Sequence, residues 1–159
     1  MPFTPFHLGP GALIKAGGGE HVSFTIFAGS QVLMDIEPLV HMMRGDAVLH
    51  GPTHSLVGAT VIGLLSAMIG RRLSPWLLDR LEVRHGPIGW RVALLSGLVG
   101  TWSHVGLDAI MHVDMKPLWP FAAGNALLGI ISVAMLHWLC VVFGIVGGAV
   151  IAVRALRNA

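Results

Sequence analysis

Residues 124–153 contain a single ionisable side chain, His137. A helix of about 20 apolar residues is enough to cross ~30 Å of hydrocarbon. This longer run therefore constrains the fold more than any other feature, because lipid leaves no water to satisfy an exposed backbone. Composition agrees. The chain is 54% hydrophobic and 11% charged, with a mean hydropathy of +0.75, whereas soluble domains are about 25% charged. The expected class is all-α: a polytopic membrane helix bundle forming a single membrane domain over residues 1–159.

Four long transmembrane helices are expected over 22–43, 53–73, 91–112 and 124–153, with a cytoplasmic loop over 74–90. A short apolar piece, 6–16, precedes them and is cut off by Gly17-Gly18-Gly19. It is too short to span a bilayer, so it is either a re-entrant or half-length helix dipping from the outer face, or a cytoplasmic N-terminal segment. Pro38 disfavours helical geometry at Glu37 and predicts a bend there. Pro52 suits the first turn of the helix that follows it. The start of the chain lacks a basic region followed by an apolar one, so no cleaved signal peptide is expected. The lone Cys140 excludes an internal disulfide.

Basic residues set the expected orientation. Lys15, Arg71, Arg72, Arg80, Arg84, Arg91, Arg154 and Arg157 fall on one side of the four-helix arrangement, and Arg44 and Lys116 on the other. The 74–90 loop and the C-terminus are thus assigned to the cytoplasm. Trp76 and Trp90 would sit at the inner interface and Trp119 at the outer one. The net charge of +2 gives no reason to expect nucleic acid as a partner.

Against this apolar background, His104, Asp108 and His112 recur at i, i+4 and i+8. On a helix they share one face. Ionisable groups within a membrane usually mark function, and imidazole with carboxylate is the donor set of a transition-metal site. At about 1.5 Å per helical residue, Asp35 lies ~20 Å up its helix, His104 ~20 Å and His54 ~28 Å. Separate helices therefore deliver donors to the outer third of the membrane. His7, Asp35, His50, His54, His104, Asp108 and His112 are the expected metal ligands. Glu37 is the general-base or bridging candidate, and Asp108 is the second candidate for a catalytic role. A polar network bracing the bundle is the plain alternative for the 104–112 stripe. His50 and His54 would then be an interfacial pair, and Asp35 and Glu37 solvated loop acids.

His137 lacks an acidic neighbour and reads as a core histidine. Asp114 lies beyond the helix end, inside or outside the site. His21, His41 and His85 read as boundary or loop residues. Ser55 and Ser103 adjoin site histidines but point away from them on a helix, so they read as outer support, not as nucleophiles.

The motifs together resemble a family. Thr4-Pro5-Phe6-His7, Asp35-x-Glu37, His50 followed by Thr53-His54-Ser55-Leu56, Ser103-His104-x-x-x-Asp108 and Leu118-Trp119-Pro120 are similar to those of bacterial inner-membrane metal-dependent hydrolases of the YdjM type. The likeness covers roughly residues 4–121. Glu37 stands where an Asp is common, and no Arg-Gly pair precedes Thr53. The His-x-x-x-Asp element is also similar to that of zinc-dependent phospholipases C. The resemblance implies location in the bacterial inner (cytoplasmic) membrane and hydrolysis by metal-activated water. The donors suit Zn²⁺, with Mn²⁺ or Fe²⁺ as alternatives, as one ion or two. A site near the outer leaflet points to a phosphoester or ester of a lipid or amphiphile.

Three rival classes are carried forward. A haem protein would use His54, His104 and His137 as axial ligands. An ion or proton transporter would need polar residues continuing to the cytoplasmic side, and the inner helix halves read as having none. A non-catalytic subunit of a larger membrane complex would keep a structural metal.

Overall fold

A computed structural model describes residues 4–157. Among them the chain forms six α-helices and no strand: α1 (Thr4–Gly18), α2 (Phe24–Met34), α3 (Ile36–Arg44), α4 (Leu56–Arg80), α5 (Trp90–Met111) and α6 (Val133–Arg157). Only α4 and α6 are long and apolar enough to be candidate membrane spans. Residues 1–3, part of the stretch on which the leader-peptide expectation rests, lie outside the described residues.

The single helix expected over 22–43 is two helices broken at Asp35. Pro38 is the cause. Its ring has no N–H to offer the Met34 carbonyl four residues back and collides with it. The break therefore falls at Asp35, earlier than the expected bend, and Pro38 sits in the first turn of α3, where proline is tolerated. At 11 residues, α2 is about 16 Å long and cannot cross a bilayer alone. Gly45, at φ 74°, stops α3 in the left-handed conformation. The amides of Gly45 and Asp46 bond back to Met42 O and His41 O, at 3.1 and 3.0 Å, which ends the helix as glycine caps do.

Two other boundaries differ from expectation. Helix α4 runs through Pro75 to Arg80, because arginine and aspartate are compatible with helix and the polar 71–80 stretch does not break it. Helix α6 starts only at Val133. The preceding stretch instead caps α5: Asn125 Nδ2 donates to Ala109 O at 2.8 Å and Gly129 N to Ile110 O at 3.0 Å. Those last-turn carbonyls would otherwise be orphaned.

Helix α6 packs mainly on α1, while α2 packs on α4 and α5, which also pack on each other. Small residues set both close approaches, as membrane helix contacts favour. A Cβ on Gly147 would collide with the backbone of Ala12 and Leu13, and one on Gly97 with the Gly63 carbonyl. Helices α1, α4 and α6 run away from one end of the bundle and α2 and α5 run toward it. The N-terminal segment therefore starts at that end and makes a half-length hairpin with α2. Its turn is held by Lys15 Nζ on Gly19 O and Val22 O, at 2.8 and 2.7 Å. The far end also carries Arg154, whose guanidinium donates to Ala16 O.

Candidate metal centre

Four helix ends and two loops meet at the end where α1 begins. His7 comes from the first turns of α1, and Asp35 from the corner after α2. His50 and His54 come from the approach to α4, and His104 and Asp108 from the last turns of α5. His112 is not on the helix. It is the residue after α5, in extended conformation at φ −111°, and it still reaches the cluster. All seven expected donors are thus brought together.

Asp108 is the hub and is fully buried. Its Oδ1 faces His7 Nε2 at 3.2 Å and His112 Nε2 at 3.9 Å. Its Oδ2 faces His104 Nε2 at 3.1 Å, His54 Nε2 at 3.8 Å and His50 Nε2 at 3.9 Å. On the other side His104 Nε2 lies 3.4 Å from Asp35 Oδ1. Donors bound tetrahedrally at about 2.0–2.1 Å from an ion sit about 3.3 Å from one another. The observed 3.1–3.9 Å brackets that spacing. Three overlapping triads could each hold an ion: His7–His104–Asp108, Asp35–His54–His104 and His50–Asp108–His112.

The backs of the rings explain how they are aimed. His50 Nδ1 donates to Asp114 Oδ1 at 2.9 Å, His54 Nδ1 to Glu37 Oε2 at 3.3 Å and His104 Nδ1 to Gln31 Oε1 at 3.0 Å. Each acceptor keeps the proton on Nδ1 and leaves the Nε2 lone pair facing Asp108. Metal-binding histidines are held in this way. The Gln31 amide has one orientation, because its NH₂ donates to Gly100 O at 2.9 Å. Asp114 also accepts from the backbone N–H groups of Leu49 and His50, at 2.9 and 3.1 Å. Burial alone would raise its carboxyl, but these bonds outweigh it and hold it at about 2. Asp114 is therefore an anion at any physiological pH.

The front of the cluster is unsatisfied by protein. His50 Nε2, His54 Nε2, His104 Nε2, His112 Nε2 and Asp108 Oδ2 are buried and make no hydrogen bond; His7 Nε2 bonds Asp108 Oδ1 at 3.2 Å, and its Nδ1 is the atom left without a partner. Each such atom costs about 1–3 kcal/mol, so together they rival the whole stability of a domain, about 5–15 kcal/mol. Protons alone do not resolve this, because His50, His54 and His104 already carry a proton on Nδ1, and a second one on each Nε2 would crowd three cations around one carboxylate. A cation shared by the donors satisfies all of the facing atoms at once.

Glu37 stands one layer back. Its Oε2 accepts from the Thr53 hydroxyl, from His54 Nδ1 and, at 3.1 Å, from Gly51 N. His137 is outside the cluster, stacked on Phe6 at 4.3 Å between ring centroids. Ser55 caps α4 by accepting from Gly58 N at 3.0 Å, which fixes the chain next to His54. Ser103 instead turns back to Gly100 O at 2.8 Å and supports no ligand. His41 bonds Leu49 O at 2.9 Å and His85 bonds Asp79 at 3.0 Å, both away from the cluster. The expectation of an inner half without polar groups fails. Ser23, Thr25, Ser74 and Ser96 form a hydroxyl cluster there, because short hydroxyls escape a search for charge.

Residues 19–158 match the family described as YdjM inner membrane protein. The chain belongs to that family. The match reaches across α6, well past the motifs that carry the resemblance, and begins after α1, so His7 lies outside it. No curated protein and no solved structure matches the chain.

Proposed function

We propose that this YdjM-family protein is a membrane-embedded metal-dependent hydrolase. Its substrate is a phosphoester or ester of a lipid or amphiphile, taken at the outer leaflet of the bacterial inner membrane. The observation that carries the reading is the set of four imidazoles, His50, His54, His104 and His112, whose unbonded Nε2 atoms face Asp108 while acceptors hold three of them from behind, with His7 Nε2 on the same carboxylate.

His7, Asp35, His50, His54, His104, Asp108 and His112 would hold the metal, with Asp108 common to two of the triads. Zn²⁺ suits this donor set best, with Mn²⁺ or Fe²⁺ as alternatives. A bound ion would supply hydroxide near neutrality, by lowering the pKa of its water to about 7, and would polarise the ester or phosphoryl oxygen. Glu37 acts as a positioning residue through His54. Asp35 and His112, at 17% and 18% side-chain exposure, form the open side through which water and substrate arrive. The basic residues at the far end support a cytoplasmic assignment of that end, with the centre then near the outer face. In this reading the candidate spans α4 and α6 cross the membrane, with α5 and the α1–α2 hairpin packed against them.

One observation favours a second reading. His7, His54, His104 and Asp108 are almost wholly shut off from solvent, as structural metal sites are, and a non-catalytic subunit of a larger membrane complex would need no more. A haem reading is disfavoured by Asp108 between His54 and His104 and by the displacement of His137.

Elemental analysis of detergent-purified protein, wild type beside His104→Ala, tests the centre. Metal in the wild type and its loss in the variant are expected, and metal in neither removes the reading. Hydrolysis of bis(4-nitrophenyl) phosphate or a short nitrophenyl ester, abolished by a chelator and restored by Zn²⁺, separates the two readings. Full metal without turnover of either ester selects the structural subunit.

A further inference from the structure

A second site lies at the opposite end of the bundle. There α4 and the start of α5 enclose a cleft of about 650 Å³. It is lined by the apolar side chains of Met68, Ile69 and Leu73, by Arg71 and Arg72, and by Trp76 and Trp90. The Arg71 guanidinium lies over the Trp90 ring, 4.7 Å from its centroid, and Arg80 lies over Trp76 at 5.7 Å. Stacking holds a guanidinium by its face and leaves its edge N–H groups free to donate. No arginine is in an ion pair with a carboxylate among the described residues; every ion pair there is made by a histidine. The cleft thus presents uncompensated positive charge beside exposed apolar side chains and half-exposed tryptophans of the kind that sit at headgroup level.

We infer that this cleft binds the headgroup of an anionic phospholipid, with the phosphodiester on Arg71 and Arg72 and an acyl chain along Met68 and Leu73. Charge complementarity selects the occupant. Arginine forks match phosphate oxygens, and basic pockets on the cytoplasmic side of membrane helices bind anionic headgroups. A zwitterionic lipid offers the same chain but brings its own cation to the rim. A free phosphate offers the anion but leaves the apolar lining uncovered. The site stands apart from the metal centre and does not depend on it.

The test uses the full chain in a mild nonionic detergent, titrated with phosphatidylglycerol, phosphatidylcholine or inorganic phosphate. Bound lipid is counted by native mass spectrometry and stability followed by thermal unfolding. Phosphatidylglycerol should bind and raise Tm, while phosphatidylcholine and phosphate should do neither. Arg71→Gln with Arg72→Gln should weaken phosphatidylglycerol by about fivefold for each arginine removed. Arg71→Lys with Arg72→Lys should retain most of the binding, and an unchanged Tm in the absence of lipid reports that each variant is folded. Equal binding of the two lipids, an equal response to phosphate, or undiminished phosphatidylglycerol binding by the double Gln variant would each overturn the inference.

Discussion

Gln31→Leu separates the aiming of the donors from their mere presence. Gln31 is fully buried and touches no expected ligand except His104, at Nδ1. Leucine is close to it in volume, so packing against Gly100 is largely kept. What is lost is the acceptor that holds the proton on His104 Nδ1, together with the bond from the amide to Gly100 O. His104 then turns or changes tautomer, and its Nε2 lone pair leaves two of the three triads. Losing a partner of this kind costs about 10–100-fold in metal affinity, or about 1.4–2.8 kcal/mol. Competition with a chromophoric zinc chelator reads the change directly. Ser30→Ala is the matched control, because Ser30 is equally buried but its hydroxyl bonds only Phe27 O, at 2.7 Å. If Gln31→Leu binds zinc as tightly as wild type, or if Ser30→Ala loses as much, the hydrogen bonds behind the rings do not aim them, and the reasoning is refuted.

Asp108→Asn removes the charge common to five imidazoles, so the purified variant should hold less than about a tenth of the wild-type metal; near-full loading would remove Asp108 as the hub. Gly147→Val forces α6 off α1 at Ala12 and Leu13. The expected cost of about 1–3 kcal/mol corresponds to a Tm lower by about 2–10 °C, and an unchanged Tm would contradict the close approach. His85 should titrate above its ordinary 6.5, because it donates to Gly86 O and to Asp79. The closure of the 81–89 loop that it supports is fully present below pH 6.5 and fades as pH rises through the elevated value; histidine-selective NMR and amide exchange in the loop would show the trend, and a His85 titrating at or below 6.5 would contradict it.

The donors were legible in the sequence because charge is conspicuous in an apolar chain, and helix rise turned their positions into depths. His7 was legible only conditionally, since its place depended on which end α1 starts from. The roles of the partners behind the rings were not legible. Gln31 is the only amide side chain in residues 22–34 and lies one turn before Asp35, on the same face. That was the available signal, but an uncharged side chain does not announce itself beside carboxylates. Glu37, expected as a general base or bridge, instead accepts from His54 Nδ1, while Asp35 lies on the Nε2 side with His104. Asn125 was hidden by hydrophobicity, since its run reads as helix until the carbonyls at the end of α5 need donors.

The packing divides the protein into two units, α1 with α6 and α2 with α4 and α5. Among the seven donors only His7 belongs to the first. A cation gripped by His7 and by residues of α5 would act as a rivet between the two halves. Loading and mechanical integrity would then be one equilibrium: stripping the ion loosens the seam along which the bundle can part.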